Sequence, residues 1–421
     1  MARQMKDSGV EWIGEIPEGW HTIRFKYLHN GMNTGEAIDK EYWTTDDNDR
    51  VFYTAGLVPI RTNYASFPDW KYTTERDLLL ARNGTPYVYY SQVNACYTDH
   101  IIRAIMKDNG NKRFIQYCLQ QSIESVVVDT VSIATWSASL WNEQVITWPS
   151  ELEQRRIADF LDRRCAEIDA VIERTKATIE EYKKLKQAVI TEAVTKGVRG
   201  PRPMKDSGIE WIGEIPETWE ARKLSGLSER IVVGVVIRPS EYFDEQGTVP
   251  FIRGLNVKEY RIVENDFVYI TEESNQLLDK SIIHTGDVLI VRDGSIGTSC
   301  VVPPKFDGAN VVSLVIVTTG EELLSDYLCY LLNSDIGKHQ FEMTKIGSAL
   351  THTSVGSVSK IKCLLPSVTE QQEIIEYLDT KRAALDTLIA KKTDLLTELE
   401  TYKKSLIYEY VTGKKEVPAC P

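Results

Sequence analysis

Two stretches of the chain carry a seven-residue apolar rhythm. In the later one, Leu385, Lys392, Leu399 and Leu406 recur every seven residues, with Leu388, Leu395 and Tyr402 three residues after the first three. That is the a/d spacing of a coiled-coil seam. In the earlier one, Leu161, Ile168, Thr175, Tyr182 and Val189 hold the corresponding positions. The pattern predicts helices over 151–196 and 367–413, each too long for an ordinary globular helix and roughly 60 Å in length. Thr175 and Lys392 are polar at the same seam position, where a polar group can fix register. Elsewhere the rhythm changes to short β-branched or apolar runs that end in glycine. DLLLARNG at 77–84 and DVLIVRDGSIG at 287–297 read as strands running into turns, and VVSLVIVT at 311–318 reads as another strand. An amphipathic helix follows in each region, at 113–122 and 325–334.

The chain is written twice. Residues 5–20 (MKDSGVEWIGEIPEGW) return as 204–219 (MKDSGIEWIGEIPETW), and EQRRIADFLD at 153–162 returns as EQQEIIEYLD at 370–379. The regions 21–150 and 220–365 share almost no identity. Constant ends around variable centres describe one symmetric frame carrying two different surfaces. The breaker-rich GVRGPRP at 197–203 ends the first helix and starts the second copy. The expected order is a mixed domain over 1–150, a helix over 151–196 and a linker over 197–203. A second mixed domain over 204–366, a helix over 367–413 and a tail over 414–421 complete it.

Composition narrows the class. A chain of 421 residues with 42% hydrophobic and 26% charged residues is ordinary for a globular protein. No apolar run is long enough to span a membrane, and the opening MARQMKDSGV is not a secretory signal. The seven cysteines lie no closer than 22 residues apart and form no C-x-x-C, so they read as free thiols in a reducing cytoplasm. The formal net charge of −12 opposes simple nucleic-acid binding, which rests on Lys and Arg meeting phosphates. The centres do not reverse it: 21–150 holds 12 basic and 14 acidic residues, and 220–365 holds 14 and 19.

Catalytic signatures are missing from the sequence. There is no G-x-x-x-x-G-K-[ST], no G-x-G-x-x-G and no H-E-x-x-H, and Gly294-Ser295-Ile296-Gly297 falls one residue short of a nucleophile elbow. The [DN]-P-P-[YFW] signature of amino-methyltransferases is absent too. Pro68-Asp69 with Glu181-Tyr182-Lys183 makes a poor nuclease pattern, because the second part lies on a predicted coiled-coil helix. The expectation is a chain that catalyses nothing by itself.

The D-S-G-[VI]-E-W-I-G-E-I-P-E-x-W box closely resembles the opening of specificity (S) subunits of type I restriction-modification enzymes. The LP-x-x-x-EQ-x-x-I-x-x-[FY]-LD entry to each helix resembles their conserved regions, with Trp148-Pro149 in place of Leu365-Pro366 in the first copy. The exits AVITEAVTKG and SLIYEYVTGK resemble their helix ends. The resemblance implies an α+β chain: two mixed α/β target recognition domains with pseudo-twofold symmetry, separated by two long conserved helices that form an antiparallel coiled coil. It implies sequence-specific reading of an asymmetric, bipartite site on double-stranded DNA. Two modification (N6-adenine methyltransferase) subunits and restriction (translocase/nuclease) subunits would be the partners. No cofactor is expected on this chain; S-adenosylmethionine, ATP and Mg would be used by the partners. The competing expectation is a coiled-coil scaffold without DNA readout, which the acidity favours.

Base edges are read by Arg, Lys, Asn and Gln, with Ser and Thr as weaker readers. In the first centre the candidates are Arg61, Asn63, Arg82 and Asn83; in the second, Arg253, Asn256, Arg292 and Ser295. Thr135 and Trp136, with Thr351 and His352, align with a polar loop ahead of the final strand in the resembled family. Arg82-Asn83-Gly84 and Arg292-Asp293-Gly294 occupy equivalent positions, which also suits a shared structural turn. Trp12, Trp20, Trp211 and Trp219 recur with the box and are expected to anchor the frame.

Overall fold

The computed structural model describes residues 3–83, 86–124, 135–345 and 352–418. The chain divides into two compact units, one of residues 1–176 with 394–421 and one of residues 177–393. Each unit thus holds one variable centre, one copy of the repeated box and part of each long helix.

In the first unit the centre is built on a four-stranded antiparallel sheet, ordered His29–Thr34, Ile101–Met106, Asp77–Ala81, Val88–Tyr90. Every residue of Asp77–Ala81 is buried, because both faces of the strand are covered. Leu78 and Leu80 face Phe114, Cys118 and Leu119 of the helix Lys112–Glu124. The alternate residues Leu79 and Ala81 pack with Phe52, Tyr53 and Tyr97 of a smaller four-stranded sheet (Cys96–Tyr97, Arg50–Tyr53, Ile60–Thr62, Trp43–Thr44).

The second unit repeats the plan with Ser228–Val233, Leu314–Thr319, Val288–Val291 and Ser299–Val301. Val288 and Ile290 face Tyr327, Leu328 and Leu331 of the helix Ser325–Asn333, and Leu289 and Val291 face Ile252 and Val257. A three-stranded sheet of Val268–Ile270, Val249–Ile252 and Asn310–Val311 stands where the first unit has its smaller sheet. The apolar run at 311–318 is two strands, parted at Ser313, whose φ is +54°.

The long helices are Glu151–Lys196 and Val368–Val411. Ser150 and Ser367 start them, each hydroxyl accepting a backbone N–H three residues on, from Glu153 and Glu370, both at 3.3 Å. Gly197 (φ +74°) and Gly413 (φ +73°) end them in the left-handed region that closes a helix. Within the first unit the helices run antiparallel: Phe160 stacks on Tyr410 at 4.5 Å, and further along Asp169 takes Lys403 at 2.6 Å. Within the second, Arg199 meets Glu373 at 2.6 Å and Lys186 meets Asp386 at 2.7 Å, again in opposite directions.

The seam differs from the heptads in one respect. Leu161, Ile168 and Thr175 are buried, and Cys165, Ile172 and Ile179 join them four residues later rather than three. On the second helix Leu406 is buried and Leu385, Lys392 and Leu399 are half-buried, with Ile389 and Leu396 completing the stripe. Leu388 and Tyr402 therefore lie outside it, at 41% and 49% exposed, and Leu395 flanks it. A second position at +3 is one residue short on this face. Tyr182 and Val189 are half-buried. The Thr175 hydroxyl donates to Val171 O of its own helix at 2.8 Å, so it is satisfied without fixing register across the seam.

Each repeated box is a hairpin, Met5–Asp7 with Glu15–Pro17 and Met204–Asp206 with Glu214–Pro216. Trp20 and Trp219 are buried anchors; Trp12 is half-buried and Trp211 is 38% exposed. Arg3 pairs with Glu153 and stacks over Trp20, and Arg202 pairs with Glu370 and stacks over Trp219. The same arginine, glutamate and tryptophan thus tie the box to the start of a helix in both units.

Candidate nucleic-acid interface

Arg82, Asn83, Thr135 and Trp136 gather at one end of the first main sheet, and Arg292, Ser295 and His352 at one end of the second, where the strands containing Leu80 and Ile290 run out. In the first unit, Ala81 ends its strand and Arg82 enters the turn. The Arg82 backbone is fixed on both sides: its N–H donates to His100 O at 2.8 Å, and its carbonyl accepts from Trp136 N at 2.6 Å. Asn83 bridges Thr135 and lies with Nδ2 2.7 Å from His100 Nδ1. Arg82, Asn83 and Thr135 are thereby brought together, with the Arg82 and Thr135 side chains exposed. The Arg82 guanidinium has no hydrogen bond or ion pair among the described residues.

The second unit builds the same corner. Arg292 follows Val291, and its carbonyl accepts from Thr353 N at 3.1 Å. His352 precedes that residue, and Ser295 is exposed on the adjoining turn. The Arg292 Nε is buried and has no hydrogen-bond partner among the described residues. Thr351 lies outside the described residues. The structure also gives an equivalence between the two loops. Trp136 and Thr353 make the same backbone bond, and Ser137 and Ser354 each cap the next short helix, by accepting from Leu140 N and Ser357 N. Thr135 therefore matches His352.

Four candidates do different work. Trp136 is buried at 4% exposure and packs on Trp141 with ring centres 5.2 Å apart, so its indole holds the corner from inside. Asn256 is fully buried; it accepts from Arg253 N at 3.0 Å and donates to Val263 O and Asn265 O at 3.3 and 2.7 Å. Both amide hydrogens are spent on its own loop and the side chain is buried, which takes it out of reach of base edges. Arg61 sits on the smaller sheet, donating to Asp49 O at 2.9 Å beside Asp47 at 3.6 Å. Arg253 is similarly bound to Asp266 O, whereas Asn63 is exposed.

Sequence reasoning passed over the cleft next to Arg82. About 490 Å³ in volume, it is lined by Asn33, Trp70, Lys71, Ile102 and Ser137. Burial pushes the Tyr97 phenol up to about 12, so it stays a neutral donor and holds Asn33 Oδ1 at 2.5 Å. A buried ion pair lies beneath: Asp77 Oδ2 and Arg103 Nε are 2.8 Å apart. The second unit pairs the equivalent Asp287 with Arg230 at 2.8 Å, from a different strand. Neither arginine had a sequence signal, because pairing across strands is invisible along the chain.

A family model described as the type I restriction modification DNA specificity domain matches residues 216–400. The putative MjaX specificity subunit of Methanocaldococcus jannaschii is 28% identical, over 96% of this chain and 96% of its own length. The chain is similar to type I specificity subunits over nearly its whole length. The EcoBI specificity subunit of Escherichia coli is 21% identical over 74% of this chain and 67% of its own length. The fold agrees: a chain from a solved structure concerned with complex assembly and conformational transition of the type I R-M system superposes with a TM-score of 0.70. That match covers 95% of this chain and 99% of the other at 15% identity. Among the described residues, no cluster of three or more His, Cys, Asp or Glu is placed to hold a metal, and no helix is long and apolar enough to cross a membrane.

Proposed function

We propose that the chain directs a type I restriction-modification complex in the cytoplasm to an asymmetric, bipartite DNA sequence, each centre reading one half. The reading rests chiefly on one observation. Two units share a corner built on the same backbone bond and the same serine cap, yet they present Arg82, Asn83 and Thr135 on one and Arg292, Asp293 and His352 on the other. A common frame with different readers is what two unlike half-sites require.

In this reading the helices space the half-sites and receive two N6-adenine methyltransferase subunits, while restriction subunits join the assembly. Methyl transfer from S-adenosylmethionine and ATP- and Mg-dependent cleavage belong to those partners, and this chain supplies addressing alone. Subunits closing around the duplex would supply the positive charge that a chain at −12 lacks. The ruler is testable. Removing one heptad from both helices, so that the seam stays in register, shortens the rod by roughly 10 Å, about three base-pair steps. The unread spacer should shorten while both half-sites persist; altered half-sites would sink the idea.

The acidity supports a second reading, a scaffold held by its coiled coil. Retention of the assembled complex on one sequence over a scrambled duplex separates the two.

A further inference from the structure

Trp70 is the most exposed tryptophan singled out by its setting: 66% of it faces solvent, yet its backbone is locked. It sits in the turn Asp69–Lys71, and its carbonyl accepts from Arg103 Nη1 at 2.8 Å. Arg103 is itself fixed by buried Asp77. Lys71 pairs with Glu36 and lies 5.2 Å from the Trp70 ring centre. Both Trp70 and Lys71 line the cleft that also holds Arg82. Leaving a large aromatic in water forgoes its burial, and here a rigid support keeps it outward beside two cations.

The second unit has the corresponding turn with a different tip, and holds it by an arginine from another strand that reaches a carbonyl two residues further on. Arg230, paired with Asp287, donates to Ile282 O at 3.1 Å at the end of the turn Asp279–Ser281, and the residue in the place of Trp70 is the exposed Lys280. From this we infer that Trp70 is a specificity-determining residue, meeting the apolar methyl group of a thymine, while Arg82 contacts the adjoining base or phosphate. Asp69 stands exposed at the start of the turn, so the turn offers apolar contact rather than net charge. The inference rests on the DNA-reading function proposed above.

The test uses the assembled methyltransferase complex. Its motif is first mapped by sequencing methylated genomic DNA, and binding of a fluorescent duplex carrying that motif is then followed by anisotropy. Trp70→Ala and Trp70→Lys, the latter copying the second unit, should each weaken binding about fivefold or more and relax bases in one half-site only. Replacing each thymine of that half-site by deoxyuridine separates a methyl contact from a sugar contact. Sensitivity in the wild type that vanishes in Trp70→Ala assigns the methyl, whereas uniform insensitivity alongside weakened binding would mark a sugar contact without sequence information and overturn the inference. Unchanged affinity and motif in both variants overturn the inference, as does loss of methyltransferase assembly with normal DNA binding by the assembled fraction. A wild-type complex that methylates no bipartite motif would instead fail the underlying function.

Discussion

Replacing Arg103 by Met should destabilise the first unit by about 3–5 kcal/mol, the range for breaking a buried ion pair from one side. The geometry explains why this pair is costly to break. Asp77 is fully buried and the Arg103 side chain is only 5% exposed. Asp77 Oδ2 keeps the Thr74 N–H at 2.6 Å and its hydroxyl at 3.0 Å, but Oδ1 has no hydrogen-bond partner among the described residues. Without the guanidinium, a carboxylate would remain in a closed interior and would have to take up a proton or open the strand to water. The second unit provides an internal control. Asp287 retains His284 N at 2.8 Å and the Thr318 hydroxyl at 2.5 Å on separate oxygens, and Arg230 is 29% exposed, so Arg230→Met should cost clearly less. Urea unfolding followed by circular dichroism gives the ordering, and hydrogen exchange assigns each loss to its unit. The decisive arm is Asp77→Asn with Arg103→Met. Neutralising both partners should recover at least about 1 kcal/mol relative to Arg103→Met alone. If the double variant is as unstable as the single one, lost packing rather than stranded charge is responsible and the reasoning is refuted.

Gly413→Ala should lower stability by about 1–3 kcal/mol, because its φ is +73° and a Cβ would meet Pro17 Cδ and Cγ at 2.6 Å; thermal melting reads the loss. Arg82→Ala and Arg292→Ala should each relax preference in a different half-site by about 1–3 kcal/mol per base read, measured by competition with single-base variants; uniform weakening would mark a phosphate contact instead. The six described cysteines are buried, and burial pushes Cys96 up to about 11 and Cys118 up to about 12. At pH 7.5 they should react slowly with a maleimide in the native protein and fast in urea, as mass spectrometry of labelled peptides will show; fast native labelling of Cys118 contradicts its burial.

The repeats and the period of the apolar residues made most of the fold legible. Asp77–Ala81, Val288–Val291 and the long helices stand where their patterns put them, since burial on one stripe or on both faces leaves a direct mark on residue type. The +3 seam position failed at Leu388 and Tyr402 because Leu and Tyr at exposed sites look the same in sequence as buried ones, and the stripe follows alternating steps of three and four. The site was legible only in part. Arg82 and Arg292 follow a strand and its turn, a local signal, whereas Trp136 and Asn256 point inward for reasons set by distant partners. Trp70, Lys71 and the pairs Asp77–Arg103 and Asp287–Arg230 depend on strand order, which no spacing along the chain encodes.

The most direct test is to co-express the chain with a type I N6-adenine methyltransferase subunit in a host free of DNA methylation and to sequence the genome for modified adenines. The account predicts one motif of two unlike half-sites around an unread spacer, methylated on both strands. A stable purified complex that leaves the genome unmethylated, or methylates a single undivided motif, would contradict it.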